Sequence, residues 1–173
     1  GDWGYWGRSG PDHWGSISED YRTCAVGRAQ SPVNINWQNP SYLSKPTIDI
    51  SPNSSLFFFS APNNFFFRCV KTARHCGIIE FKNVSYKLES LHFHSPSEHT
   101  TGFILRNQYI LEAHLVHLSE QGSVLVLAVF FELSRTPNLM LETLLQAAMY
   151  KSNVNAVDLR GLNNSSTFLC HVE

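Results

Sequence analysis

The sequence contains no long apolar run and no marked excess of either charge. Its longest apolar stretch, Val124 to Phe131, has the length of a β-strand, whereas a membrane-spanning helix needs ~18–20 apolar residues. The formal net charge is −1 and the isoelectric point is near 6.8, and proteins that bind nucleic acid or acidic membranes carry basic patches instead. We therefore expect no membrane span and no nucleic-acid partner.

The sequence contains no fixed-period repeat and no low-complexity tract. The chain opens Gly-Asp-Trp, without the basic and apolar segments of a signal peptide. We expect either a mature form whose targeting segment has been removed or a protein that never had one. No two cysteines have the C-x₂-C spacing, so we do not expect zinc bound by thiolates.

The composition is that of a globular domain rich in strands. At 173 residues, 43% hydrophobic and 13% aromatic, the chain can bury a real core, and we predict a single domain over residues 1–173. One helix is predicted at residues 138–151, and residues 1–32 and 152–173 are predicted to be irregular. Short alternating or apolar segments predict strands at 33–35, 47–50, 56–59, 65–70, 78–81, 84–88, 90–94, 109–117 and 124–133, and we expect the last to be central in its sheet. The fold class is mainly β, with a twisted, mostly antiparallel sheet and few helices.

Cysteines and glycosylation sequons favour an oxidising route. Four cysteines are present, Cys24, Cys69, Cys76 and Cys170. Cys69 and Cys76 could close a small loop and the other two could link the chain ends, but sequence alone leaves all pairings open. N-x-[ST] sequons occur at Asn53, Asn83, Asn163 and Asn164. Together these features favour a secreted protein or one in an organelle lumen, with disulfides and glycans.

Histidines gather in the centre of the chain. Five of the eight lie within residues 91–117. His92 and His94 are two residues apart on a predicted strand, so both side chains leave the same face. Glu112 and His114 repeat this spacing on a second strand. Three imidazoles with an open fourth position make a catalytic zinc site, and a carboxylate commonly orients one of them. From the residues alone, a metal site and a set of hydrogen-bonded structural histidines both remain open; we interpret His117, which faces the other way, as structural.

Two motifs decide between these alternatives by resemblance. Residues 92–99 read His-Phe-His-Ser-Pro-Ser-Glu-His, and residues 111–117 read Leu-Glu-Ala-His-Leu-Val-His. This pair resembles the zinc-binding core of the α-class carbonic anhydrases. Further similarity lies in an N-terminal arm with Gly-Pro-Asp-His-Trp at 10–14 and Gln-Ser-Pro-Val-Asn-Ile at 30–35, in the apolar strand at 124–131, and in Arg-Gly-Leu at 160–162.

The resemblance implies a zinc lyase that reversibly hydrates carbon dioxide to bicarbonate by means of a zinc-bound hydroxide. His92, His94 and His114 would hold Zn²⁺, and Glu112 would orient His114. The resemblance further implies that Tyr5 belongs to the hydrogen-bond network beneath the site and that Glu98 holds the threonine that orients the hydroxide. Val126 would form part of the apolar wall beside which carbon dioxide lies.

The pattern departs from the family at two places that matter for catalysis. Phe66 occupies the position at which fast members carry a proton-shuttling histidine, and phenylalanine cannot carry a proton. The family also continues past residue 162 with a Ser-Leu-Thr-Thr-Pro-Pro-like segment that residues 163–173 do not match, so we expect the C-terminal part of the fold to be missing. We therefore expect slow or impaired hydration, and a protein partner or self-association that completes the sheet. The alternative is a structural, storage or complex-subunit protein that retains the zinc site.

Overall fold

The computed structural model describes residues 3–36, 46–70, 75–102 and 107–162, together with the backbone of 167–172. Contacts divide the chain into two compact units, Gly1–Val33 and Asn34–Glu173. Among the described residues, no helix has the length and apolar character needed to cross a membrane. The single domain expected over residues 1–173 stays a prediction.

The first unit is more regular than the sequence suggested. It contains 3₁₀-helices at Gly7–Ser9, Pro11–His13 and Glu19–Tyr21, and one-turn helices α1 (Trp14–Ile17) and α2 (Thr23–Val26). The prediction that residues 1–32 are irregular is wrong in this respect. The indole N–H of Trp14 donates to the carbonyls of Gly4 and Ser9, at 2.9 Å each, so one half-buried donor connects these turns.

The second unit is built mainly of strands. Within the described residues these are β1 (Asn34–Ile35), β2 (Thr47–Ile50), β3 (Ser54–Ala61), β4 (Asn64–Cys69), β5 (Gly77–Phe81), β6 (Val84–His94), β7 (Thr100–Thr101), β8 (Leu111–Leu118), β9 (Val124–Phe131), β10 (Val154–Val157) and β11 (Thr167–Val172). They are joined by the helix α3 (Leu139–Met149) and a 3₁₀-helix at Leu159–Leu162. The mainly β fold class is confirmed.

The large sheet is antiparallel throughout, and β6 is its organising strand. Its strand order is β10-β3-β4-β6-β8-β9-β11. The first half of β6 pairs with β5, which in turn pairs with β2, whereas its second half pairs with β4. The β5–β6 hairpin turns at Lys82 and Asn83, both with positive φ, which is the geometry that two-residue hairpins favour. A separate parallel pair joins β1 to β7.

One face of the sheet carries the hydrophobic core. Side chains that alternate with the histidines, such as Leu91, Ala113 and Leu115, are buried, and Leu144 and Ala147 of α3 belong to the same cluster. The helix predicted at 138–151 is confirmed by α3. At its start the Asn138 side chain accepts a hydrogen bond from the Leu141 N–H. Because side chains alternate along each strand, the histidines lie on the opposite face.

The segment after α3 corrects the sequence-based expectation. Residues 152–173 were expected to be a polar loop, but they contain β10, the 3₁₀-helix and β11. β11 pairs with β9 through six consecutive residues, and the backbone ladder does not require an apolar sequence pattern. Because β11 lies outside β9, the strand expected to be central is second from one end of the sheet.

One of the expected disulfides is present. Cys69, at the end of β4, is bonded to Cys76, just before β5. Cys24 is a free and exposed thiol, so Cys24 does not form the disulfide with Cys170 that the sequence suggested. Asn163, Asn164 and the side chain of Cys170 lie outside the described residues, whereas Asn53 and Asn83 are exposed.

Candidate metal centre

Two neighbouring strands bring the three predicted ligands to one point. His92 and His94 end β6, and His114 lies on β8 directly opposite His92. The ring centroids are 4.9 Å apart for His92 and His94, 5.1 Å for His92 and His114, and 4.8 Å for His94 and His114. Their nitrogens satisfy the spacing of a metal-binding group. The arrangement expected from the two-residue spacing is therefore present.

The available nitrogens fit a cation with three imidazole ligands. His114 Nε2 is 2.8 Å from Glu112 Oε1, which leaves its Nδ1 for a metal. His94 Nε2 is buried and, within the described part of the chain, has no hydrogen-bond partner. A buried nitrogen left unpaired is unfavourable, and coordination would remove that penalty. Three neutral imidazoles suit Zn²⁺ in a tetrahedral site with one open position.

Electrostatics keep these ligands in the form that metals bind. Burial, followed by repulsion from His114 and His94, lowers the pKa of His92 to about 3. Burial and repulsion from His114 lower the pKa of His94 to about 4. Both imidazoles are consequently neutral near pH 7, so their lone pairs are free to coordinate without prior loss of a proton.

Glu112 is fully buried and its carboxylate accepts four hydrogen bonds. Oε1 lies 2.6 Å from His99 Nδ1 and 2.8 Å from His114 Nε2. Oε2 accepts from the backbone N–H groups of Glu98 at 2.8 Å and His99 at 3.0 Å. Burial alone would raise the pKa of Glu112, but these donors hold it well below its usual range. Glu112 is therefore a fixed anion that orients His114.

His99 is the functional-site residue that sequence reasoning missed. His99 is 2% exposed, and it contacts Glu112 through both its ring and its backbone. It lies on a loop, so strand periodicity could not place it. Ser97 fixes that loop, because its hydroxyl donates to the His99 carbonyl and accepts from the Tyr109 N–H, each at 2.8 Å. Its proximity to His94 in the motif was the only available signal.

His99, Glu112 and His114 also satisfy the spacing of a metal-binding group. Their close contacts are accounted for by hydrogen bonds, since Glu112 Oε1 lies between two ring nitrogens. A cation there would displace the contact that orients His114. The arrangement therefore favours the three-histidine group as the ligand set and this second group as its support.

Glu98 faces the ligands from the loop. Its Oε2 is 3.4 Å from His94 Nε2 and 3.9 Å from His114 Nδ1. Burial raises the pKa of this carboxyl, in contrast to that of Glu112. The structure thus places Glu98 beside the two nitrogens available for coordination.

The remaining predicted residues lie on two different units. Phe66 pairs with His92 across β4 and β6, so its side chain shares the face of the histidines. Val126 lies on that face too, two residues before Ala128, which pairs with His114. Tyr5 belongs to the first unit, where its ring packs edge-on against those of Trp3 and Trp14. Its role beneath the metal stays a prediction.

Comparison with known proteins matches this architecture. A family model described as eukaryotic-type carbonic anhydrase matches residues 9–167. A carbonic anhydrase of Neisseria gonorrhoeae is 36% identical over 134 residues, covering 78% of this chain and 50% of the relative. One from Klebsiella pneumoniae is 34% identical over 131 residues, covering 75% and 50%. The chain thus spans about half the length of the curated relatives it matches.

Solved structures give the same result. An α-carbonic anhydrase from Thermovibrio ammonificans, in complex with the inhibitor sulfanilamide, superposes with a TM-score of 0.77 at 28% identity, covering 92% of this chain and 70% of that one. A dioscorin complexed with ascorbate superposes with a TM-score of 0.73 at 25% identity, covering 93% and 69%. The resemblance inferred from the two histidine motifs is confirmed.

Proposed function

Because the chain belongs to the eukaryotic-type carbonic anhydrase family, we propose that it catalyses the zinc-dependent, reversible hydration of carbon dioxide to bicarbonate. The observation that carries this proposal is the group of His92, His94 and His114, with His114 held by a buried, ionised Glu112. When bound, zinc supplies a nucleophile by lowering the pKa of a water molecule to about 7, the value established for carbonic anhydrases.

The chain's own residues would hold and orient that cation. His94 offers its buried Nε2, and His114 offers Nδ1 because Nε2 is occupied by Glu112. His99 and two backbone N–H groups stop the Glu112 carboxylate from turning. Such supporting partners set ring orientation and ligand basicity, so we assign Glu112 and His99 to positioning His114.

Three further residues complete the proposed site. Val126 lies on the metal-bearing face and would contribute apolar surface against which carbon dioxide packs without hydration. Glu98 would accept a hydrogen bond from a group beside the cation, and Tyr5 would extend the hydrogen-bond network. Phe66 neighbours His92 but has no group that moves a proton. Loss of a positioned proton carrier typically costs about 10²–10⁴-fold in the step it serves, so we propose slow turnover limited by buffer.

A hydration assay on protein with quantified zinc tests this function. The wild-type chain should bind close to one zinc and hydrate carbon dioxide faster than buffer alone, and His94→Ala should lose both properties. His75→Ala provides the matched control because His75 is exposed and outside the metal-binding groups. Stoichiometric zinc without hydration would contradict the enzymatic proposal while leaving the metal site intact.

A second candidate function is a structural, storage or complex-subunit protein that keeps the zinc site. Phe66 at the position beside His92 favours it, because a protein without turnover needs no proton carrier. Zinc binding without hydration, together with a stable complex on size exclusion, would support this alternative. A monodisperse monomer with measurable hydration would count against it.

Location and association are proposed on separate observations. The Cys69–Cys76 disulfide favours an oxidising compartment, either extracellular or lumenal. Among the described strands, β11 pairs only with β9, and an edge strand offers backbone groups to another chain. We therefore propose self-association or a protein partner at this edge, to be tested by native mass spectrometry.

A further inference from the structure

Three aromatic rings and one guanidinium form a patch on the metal-bearing face, one strand away from the histidines. Phe66 pairs with His92 and with Phe59, and Arg68 pairs with Ser90 and with Phe57. Residues paired in this way share a face. The side chains of Phe57, Phe59, Phe66 and Arg68, here called the Arg68 patch, therefore lie on the same side of the sheet as the proposed metal ligands.

The aromatic rings fix the position of the guanidinium. The rings of Phe59 and Phe66 are stacked, with centroids 5.6 Å apart and an interplanar angle of 8°. The Arg68 guanidinium carbon lies 4.9 Å from the Phe59 centroid and 5.3 Å from that of Phe66. Cation–π contacts of this kind restrain a side chain that would otherwise sample many rotamers. The patch is thus a positioned cation on an apolar platform.

No carboxylate neutralises this guanidinium within the part of the chain that the structure describes. Two other arginines are engaged, because Arg22 pairs with Glu19 and Arg160 pairs with Asp158. Arg68 is exposed and has neither an ion pair nor a hydrogen bond among those residues, so its N–H donors are available to a ligand. Phe57 and Phe59 remain 46% and 38% exposed, so a small ligand can reach both the cation and the rings.

We propose that the Arg68 patch binds a small carboxylate-type oxyanion beside the metal centre. The planar fork of N–H donors matches two oxygens of such an anion, and the rings of Phe59 and Phe66 hold that fork in place. The natural ligand would be bicarbonate, an identification that rests on the proposed function. Neighbouring strands are roughly 5 Å apart and successive residues roughly 3.4 Å, so Arg68 and His92 Cα atoms lie roughly 8 Å apart. An anion formed at the metal would meet this site as it leaves.

Acetate binding to the full 173-residue chain tests the proposal directly. Saturation transfer from aromatic protons to the acetate methyl group reports contact with the rings, and titration gives a dissociation constant. We expect millimolar binding, because exposed ion pairs are weak. Arg68→Gln should weaken it at least five-fold, and Arg68→Lys should weaken it less. Arg135→Gln is the matched control, since Arg135 is an exposed arginine on the loop before α3.

Competition and metal removal separate this site from the metal centre. Bicarbonate should displace acetate, whereas chloride at equal ionic strength should not, and uncharged acetamide should bind without dependence on Arg68. The Arg68-dependent signal should be equal before and after treatment with a chelator. Equal affinities of wild type and Arg68→Gln, with unchanged thermal unfolding, would overturn the proposal. If the protein fails to bind zinc or to hydrate carbon dioxide but still binds acetate in an Arg68-dependent way, only the proposed function is rejected.

Discussion

Replacement of Glu112 by glutamine tests the role of the buried carboxylate most sharply. The carboxylate accepts two hydrogen bonds at each oxygen, from His99 and His114 on one side and from two backbone N–H groups on the other. Glutamine has one oxygen and one NH₂ group. If its NH₂ faced the two backbone N–H groups, two buried donors would lack acceptors, at a cost of about 1–3 kcal/mol each. If its oxygen faces them instead, the NH₂ donates to His99 Nδ1 and His114 Nε2, and each ring must then carry its proton on the other nitrogen. This second orientation is favoured, and it places a proton on His114 Nδ1, the nitrogen that would bind the metal.

The loss of unfolding free energy in the metal-free protein should therefore stay below the about 2–6 kcal/mol that two unpaired donors would cost. Zinc affinity should fall about 10–100-fold, the range known for such supporting partners in metal sites that include carbonic anhydrase. Urea unfolding measures the first quantity, and competition with a chromophoric chelator at pH 7.5 measures the second. Glu142→Gln, on the exposed side of α3, is the control and should change neither.

One result would refute the reasoning. If folded Glu112→Gln binds zinc within two-fold of wild type, then the orientation of His114 does not depend on the carboxylate. A loss of stability without a loss of zinc affinity would give the same answer. His99→Ala should shift zinc affinity in the same direction as Glu112→Gln but by less, because the backbone N–H groups would still hold the carboxylate.

Three further predictions concern proton transfer, acid stability and the disulfide. Phe66→His should raise carbon dioxide hydration up to about 10²-fold at low buffer concentration, whereas Phe59→His, one strand further from His92, should not; stopped-flow indicator assays measure both. Burial lowers the pKa of His117 to about 4, whereas His117 in the unfolded chain takes up a proton as pH falls below about 6.5. Urea titrations should therefore show that His117 lowers the unfolding free energy by up to about 1.4 kcal/mol per pH unit as pH falls towards 4. Above pH 7.5 this residue should contribute no change. Replacing both Cys69 and Cys76 by serine should lower unfolding free energy by about 2.5 kcal/mol from loop entropy, whereas Cys24→Ser should leave it unchanged.

Local patterns predicted the strands because alternation is a short-range property. The two-residue spacing of His92 and His94, and of Glu112 and His114, was enough to place all four side chains on one face. The strands predicted at 78–81 and 84–88, which a tight turn at Lys82 and Asn83 joins, and the helix predicted from residue 138 were equally local, and both are confirmed. These features follow from side-chain direction and turn geometry, which the chain carries within a few residues.

Pairing between strands that are distant in the sequence was harder to predict from local sequence patterns. β11 was expected to be a loop because its segment lacks a strong apolar pattern, yet its backbone extends the ladder of β9. We expected β9 to be central in the sheet, but with β11 as its outer neighbour it is second from the end. Edge strands are defined by the partner they find, so composition alone is a weak guide to them.

The sequence by itself determined the ligand types, their spacing and the family, because imidazole chemistry and strand periodicity are encoded residue by residue. Tertiary structure alone decided that the loop at 95–99 folds back so that His99 and two N–H groups hold Glu112, and that Arg68 rests on two rings beside the histidines. Both arrangements join residues from separate segments, and their energies depend on burial and hydrogen-bond geometry that only the folded chain creates.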